Sequence, residues 1–124
     1  MIKTLHTENA PAAIGPYSQA KIVNGILYAS GQIAINPAKG DVEATTIEGQ
    51  TEQVCKNIGA ILEAAGSSFD KVIKTTCFLK NMSDFATFNG IYGTYFTSKP
   101  ARSCVAAAAL PKDVLVEVEI IAEV

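Results

Sequence analysis

Residues 100–124, PARSCVAAAALPKDVLVEVEIIAEV, decide the fold class, because a strand pattern and a set of chemically capable side chains coincide there. Arg102–Ala109 and Val114–Glu123 both read as strands, and Leu110–Asp113 between them has the proline, the aspartate and the short length of a hairpin turn. The spacing predicts Ala109 opposite Val114. Val105, Ala107 and Ala109 then share a face with Val114, Val116, Val118 and Ile120, an apolar surface suited to covering by helices. The opposite face carries Arg102, Cys104, Ala106 and Ala108 beside Leu115, Glu117, Glu119 and Ile121. A solvated face would not hold that many apolar residues, and a core face would not hold an arginine and two glutamates unpaired. Burial against another subunit, with a pocket where arginine and glutamate meet, is the simplest account. A slip of one residue would put Arg102 on the valine side and remove the argument.

Composition narrows the class. A chain of 124 residues is the size of one domain, 1–124, and buries roughly two thirds of its unfolded surface. With 48% apolar residues a true core is expected, and a net charge of −2 without a basic run lacks the electrostatic footprint of a nucleic-acid binder. Cys55, Cys77 and Cys104 are an odd number without metal-ligand or CxxC spacing, and no secretory apolar segment precedes the first strand. Free thiols in a reducing, cytoplasmic setting are therefore expected. No apolar run approaches the ~20 residues of a membrane span. The four alanines 106–109 lie inside a strand pattern and read as close packing.

Taken in order, the chain opens with a short strand, Ile2–Leu5, and a loop in which Pro11, Gly15 and Pro16 forbid regular structure. His6, the only histidine, has no Ser, Cys or Asp at a telling distance and reads as an inert surface residue. Tyr17 follows Gly-Pro, whose restricted backbone would hold an aromatic hydroxyl in a defined place, for packing or for binding. Gln19–Val23 and Ile26–Ser30 flank Asn24-Gly25, the pair that accepts positive φ at both positions of a type I′ hairpin. Ser30-Gly31-Gln32 lets backbone approach a ligand closely, or forms a bulge. The segment Asn36–Asp41 is a surface turn.

A helix is expected after Thr45, whose hydroxyl caps while Glu48 completes a capping box; Ile47, Val54, Ile58, Ile61, Leu62 and Ala65 recur at helical spacing until Gly66. Asp70–Lys80 alternates with apolar or β-branched residues on both sides, as an interior strand does, and Cys77 there is a small core hydrophobe. A second helix is expected from a cap at Ser83, with Phe85, Phe88, Tyr92, Tyr95 and Phe96 as a core stripe. Asn89 is the polar exception, on a helix whose Gly90 and Gly93 point to close approach of another backbone. The order β, β-hairpin, α, β, α, β-hairpin predicts an α+β two-layer sandwich, a mixed six-stranded sheet with two helices on one face. The first helix allows parallel pairing of the strands that begin at Ile26 and Val72. The uncovered sheet face again predicts an oligomer.

GPYSQA at 15–20, SGQI at 30–33, EAAG at 63–66, VIKTTCFLKNMSDFATFN at 72–89, PARSCV at 100–105 and LPKDVLVEVE at 110–119 resemble the reactive intermediate deaminase family (Rid, YjgF-type), in its A subgroup. The likeness spans nearly the whole chain. It implies a chorismate-mutase-like fold and a homotrimer whose sheets form a central barrel with clefts between subunits. It also implies hydrolysis of 2-enamines and 2-imines, such as 2-iminobutanoate and 2-iminopropanoate, to 2-oxo acids and ammonia. The segment FTSKPARSC is shorter than in many members and lacks their aromatic before Pro100, which bears on cleft shape and substrate width.

The chemistry is compatible with the residues. Arg102 offers a planar fork for the carboxylate of an imino acid, worth roughly 1.5–3 kcal/mol net. The iminium carbon is already electrophilic, so no metal or organic cofactor is required; an oriented water and a proton acceptor are. The resemblance assigns the acceptor to Glu117, with Ser30, Gly31 and Cys104 lining the site and Tyr17 and Asn89 on the cleft wall. An apolar pocket would raise the pKa of Glu117 and a nearby arginine would lower it. Without the resemblance, Arg102 and Glu117 read as a cross-strand salt bridge and Cys104 as a buried thiol. A 2-oxo acid sensor without turnover is the alternative function, and an RNA-cleaving translation inhibitor a more distant one.

Overall fold

Between residues 106 and 116 the chain crosses a strand rather than making a hairpin. The structure is a computed structural model that describes residues 1–124. Its strands are β1 (Lys3–Leu5), β2 (Ala20–Val23), β3 (Ile26–Ala29), β4 (Ile35–Asn36), β5 (Asp41–Val42), β6 (Val72–Leu79), β7 (Ala101–Ala106) and β8 (Val116–Glu123). Helices α1 (Ile47–Ala64) and α2 (Phe85–Tyr95) flank β6 in sequence. Six strands form one sheet in the order β1-β2-β3-β8-β6-β7, and β4 and β5 make a separate two-stranded ribbon over the expected turn.

The Asn24-Gly25 hairpin forms as expected, with φ of 52° and 77°. Helix α1 is capped by Thr46, one residue later than expected, its hydroxyl accepting from Gly49 N at 3.1 Å. At its other end Gly66 has φ 71°, and the amides of Gly66 and Ser67 donate to Glu63 O and Leu62 O. That is the double bond pattern of a glycine-terminated helix. Helix α2 begins at Phe85 after a 3₁₀ turn, Met82–Asp84, and Ser83 does not cap it.

Two expectations about pairing are corrected. β7 and β8 do not form a hairpin: β6 lies between them, parallel to β7 and antiparallel to β8. The parallel pair arises because α2 carries the chain back to the start of the sheet, the crossover that parallel neighbours need. Residues 107–115 then pass over the end of β6, where Ala107 N donates to Leu79 O and Lys80 N to Leu115 O. Lys112 and Asp113 turn this connection with φ of 56° and 54°, and Lys80 Nζ reaches Asp113 at 3.0 Å. Likewise β3 and β6 run in one direction but are separated by β8. Of the alanines expected to pack closely, Ala106, Ala108 and Ala109 are exposed in the single chain.

The pairing sets the faces. Rows Ile120–Thr75–Arg102 and Val118–Cys77–Cys104 lie on one side of the sheet, and rows Glu117–Phe78–Val105 and Glu119–Thr76–Ser103 on the other. The first side is the core, where Val116, Val118, Ile120, Cys77 and Leu79 pack against α1 and α2 at 1% exposure or less. Phe88 and Tyr92 of α2 and Phe96 just past its end pack there, with the Tyr92 and Phe96 rings stacked 4.3 Å apart. The second side has no helix over it and leaves Tyr28 and Val105 each 48% exposed.

Candidate functional site

The sequence-derived site residues divide between two hollows, except Cys104, which lines neither. The first, about 350 Å³, lies on the uncovered side of the sheet and is lined by Tyr17, Ser30, Gly31 and Glu117 with Gln19 and Gln32 among others. It forms because β3 ends in a bulge. Tyr28 opposes Ile121 and Gln32 opposes Val118, so residues 29–31 face only 119–120 of β8. Gln32 and Val118 exchange backbone bonds of 2.8 and 3.1 Å, and Ser30 Oγ donates to Ser18 O at 2.6 Å. The bulge presses Gly31 onto Glu117: a Cβ at residue 31 would sit 2.8 Å from Glu117 Cδ. The bulge reading of Ser30-Gly31-Gln32 therefore holds, and the space left by the missing side chain of Gly31 is taken by Glu117.

Glu117 is half-buried, and burial pushes its carboxyl above the usual carboxylate range, with a further push from the Glu119 charge. Arg102 exerts no competing pull, since it occupies the other side of the sheet. The wall opposite is the loop Thr7–Tyr17, held by a residue that sequence reading passed over. Gln19 is 3% exposed; its Nε2 donates to Thr7 O and Pro11 O at 2.9 and 2.8 Å, and its Oε1 accepts from Thr7 N at 2.7 Å. Its signal in the sequence is only general: a proline-interrupted loop leaves backbone groups without partners, and a long amide at the adjacent strand end can bond them. Tyr17 is 48% exposed on this wall and its hydroxyl accepts from Ile14 N at 3.2 Å.

The second hollow, about 370 Å³, lies at the β7 edge and is lined by Asn89, Tyr92, Gly93, Lys99 and Arg102 among others. Arg102 emerges on the helix side of the edge strand, where its stem packs inward and its head reaches the rim. Its guanidinium lies over the rings of Tyr92 and Phe85, 4.9 and 5.4 Å from their centroids. Nη1 donates to Asn89 Oδ1 at 2.7 Å. Tyr92 is itself pinned by a 2.8 Å hydrogen bond to Thr75 Oγ1. Phe85, Asn89 and Tyr92 follow helical spacing, so one face of α2 positions the arginine. The aromatic stripe read as core thus also grips Arg102.

The mixed face that sequence reading placed beside an oligomer partner does not exist as one surface. Arg102 and Cys104 share the core side, Glu117 and Glu119 the other, so the expected cross-strand salt bridge is not formed; the ion pairs are Lys39–Glu43 and Lys80–Asp113. The cause is the strand inserted between β7 and β8. Cys104 is partly buried and burial raises its thiol pKa, with Arg102 pulling weakly the other way. Cys55 and Cys77 are pushed up to about 12, mainly by burial, so these thiols stay protonated at neutral pH. His6 is exposed and lines neither hollow. No group of three or more His, Cys, Asp or Glu side chains comes together as a metal site, and no helix is long and apolar enough to cross a membrane.

The family model described as endoribonuclease L-PSP matches residues 7–124. The chain belongs to the YjgF/Rid family. Among its Rid relatives, the 2-iminobutanoate/2-iminopropanoate deaminase of Escherichia coli K12 is 49% identical over 98% of each chain. A Lactococcus lactis protein named as a regulator, AldR, is 62% identical over 99% of this chain and 98% of its own. The crystal structure of a Rid family protein of Yersinia pestis, YyfA, superposes with a TM-score of 0.97 at 54% identity over the full length of both chains. The α+β fold with a mixed six-stranded sheet and two helices is thus that of the Rid family.

Proposed function

We propose that this chain hydrolyses 2-imino acids and their 2-enamine tautomers, such as 2-iminobutanoate and 2-iminopropanoate, to 2-oxo acids and ammonia. One observation carries the reading. The two halves of the required chemistry, a positioned guanidinium and a half-buried carboxylate of raised pKa, occupy separate hollows on opposite sides of one sheet. Neither hollow suffices alone. A homotrimer in which the Arg102 edge of one copy meets the Glu117 cleft of the next would unite them, and the apolar side chains on the uncovered sheet face favour such contact. Deamination is the activity in the name of the E. coli relative.

In that site Arg102 holds the substrate carboxylate through the donors that Asn89 leaves free. Water adds through oxygen to the carbon of the protonated imine, the C=N electron pair moves to nitrogen, and Glu117 accepts the proton of the water. Glu117 returns that proton to the nitrogen of the carbinolamine, and ammonia leaves as the C–N bond breaks and the hydroxyl oxygen forms the C=O bond, its own proton passing to the Glu117 carboxylate. A carboxylate raised towards neutrality both accepts and returns that proton more readily than an ordinary one. Ser30, Gly31 and Tyr17 would shape the water side and Asn89 the carboxylate side, while Cys104, the next residue on Arg102's side of β7, lines neither hollow in the single chain.

Mixing tests the shared site. Arg102→Ala and Glu117→Ala should each be inactive, and unfolding and refolding the two together should restore about a quarter of the native sites, the random share in which both residues are intact. Activity of either variant alone, or none after mixing while the native protein refolds active, would refute the two-copy site. A sensor reading is favoured by the name of the L. lactis relative. It predicts 2-oxo acid binding without acceleration of imine hydrolysis.

A further inference from the structure

The Arg102 hollow contains a second cation. Lys99 lines it together with Arg102 and Asn89, and no acidic residue does. Neither Lys99 nor Arg102 pairs with a carboxylate of its own chain, although the chain is acidic overall. Lys99 also adopts a backbone that side-chain-bearing residues avoid, φ 56°, immediately before Pro100, with its amide donating to Phe96 O at 3.2 Å. Glycine or asparagine is the usual occupant of such a position, and a lysine held there is an outlier of the kind that clusters at ligand sites. Across the hollow, Gly93 lies within α2 with nothing within 4 Å of where its Cβ would be. A helix glycine with open space above it lowers helix stability without any packing need in this chain, and it widens the hollow.

From these features we infer that the site takes imino acids bearing a second carboxylate, with Arg102 holding the α-carboxylate and Lys99 the one on the side chain. Such substrates arise where an amino-dicarboxylic acid loses two electrons and two protons at its amine-bearing carbon. The inference rests on the proposed function only in taking Arg102 as the carboxylate holder. Phe85, Tyr92 and Asn89 fix the guanidinium, leaving its remaining donors for one carboxylate. The ammonium of Lys99, a point charge on a flexible stem, suits a second carboxylate at variable reach. Lys99 is then a specificity-determining residue: it selects among substrates and is not needed for the chemistry.

Calorimetric titration with 2-oxoglutarate and with 2-oxobutanoate, the stable 2-oxo acid products of a dicarboxylic and a monocarboxylic imine, tests this without requiring turnover. The native protein should bind 2-oxoglutarate about tenfold more tightly. In Lys99→Gln the ratio should fall to about one with 2-oxobutanoate affinity unchanged, and in the native protein it should shrink as salt is added. Equal affinities in the native protein, or a ratio that survives Lys99→Gln, overturn the inference. Imine hydrolysis measured on the same samples decides the deaminase reading separately: a preference that depends on Lys99 in a protein without turnover upholds the dicarboxylate site and removes the enzyme.

Discussion

Replacing Gly31 by alanine puts one methyl group against the carboxylate on which the proposed chemistry depends. The added Cβ would lie 2.8 Å from Glu117 Cδ and 3.1 Å from Cγ, with a carboxylate oxygen closer still. Since ordinary contact needs 3.4 Å or more, the carboxyl group must retreat by about 1 Å or more. The backbone can stay, because Gly31 is not among the residues of positive φ. Alanine stiffens the unfolded chain by about 0.4–1 kcal/mol in favour of folding, while turning a side chain off its preferred rotamer costs about 0.5–1.5 kcal/mol. Stability should therefore change by less than about 1 kcal/mol. Activity should not be spared, as displacement of a catalytic group by 1 Å is worth about a hundredfold in rate. A Glu117 driven towards solvent also loses the desolvation that raises its pKa, so the acid limb of the rate profile should move down. The assay is 2-oxo acid release from imines made in situ by an amino-acid oxidase, with thermal melting run in parallel. Native rates in a protein of native stability would refute the placement of Glu117 at the reacting carbon.

Three further outcomes follow from buried groups. The pKa of Glu117 is raised in the folded state, so its ionisation opposes folding: the penalty is absent below the ordinary value of 4.5 and grows as pH rises through the folded pKa. Melting curves should show Glu117→Gln more stable than the native protein at pH 7 by at most a few degrees, with the difference gone below about pH 4. Thr51 is fully buried in α1 and its hydroxyl has no partner, so Thr51→Val should raise stability by about 1 kcal/mol in urea titration, and a loss would show that the hydroxyl is satisfied. Asn57, 1% exposed, donates to Ile33 O and Ile35 O at 3.1 and 2.9 Å and so ties α1 to the segment leaving the bulge. Asn57→Ala should cost about 2–3 kcal/mol, and an unchanged urea midpoint would mean that water replaces both bonds.

What the sequence by itself determined is what depends on residues near one another along the chain. The Asn24-Gly25 hairpin, the helix ended by Gly66 and the aromatic stripe of α2 all rest on φ preferences or on a 3.6-residue period, and each formed within a residue or two of its expected place. The family resemblance, carried by short motifs spread over the whole chain, was legible for the same reason. Strand order was not. Val114–Glu123 has the same alternation whether its neighbour is β7 or β6, because alternation specifies which residues share a face within one strand and says nothing about the strand beside it. Only packing against α1 and α2 decided that β6 should separate β7 from β8. That single insertion put Arg102 on the helix side, clasped by Phe85, Asn89 and Tyr92, and left Glu117 on the other side against Gly31. Gln19 escaped notice likewise, since its bonds to Thr7 and Pro11 span a loop whose return path no local rule describes. The residues of the candidate site could be named from the sequence, but their division between two hollows depends on contacts far apart in the chain, and those exist only once the sheet is assembled.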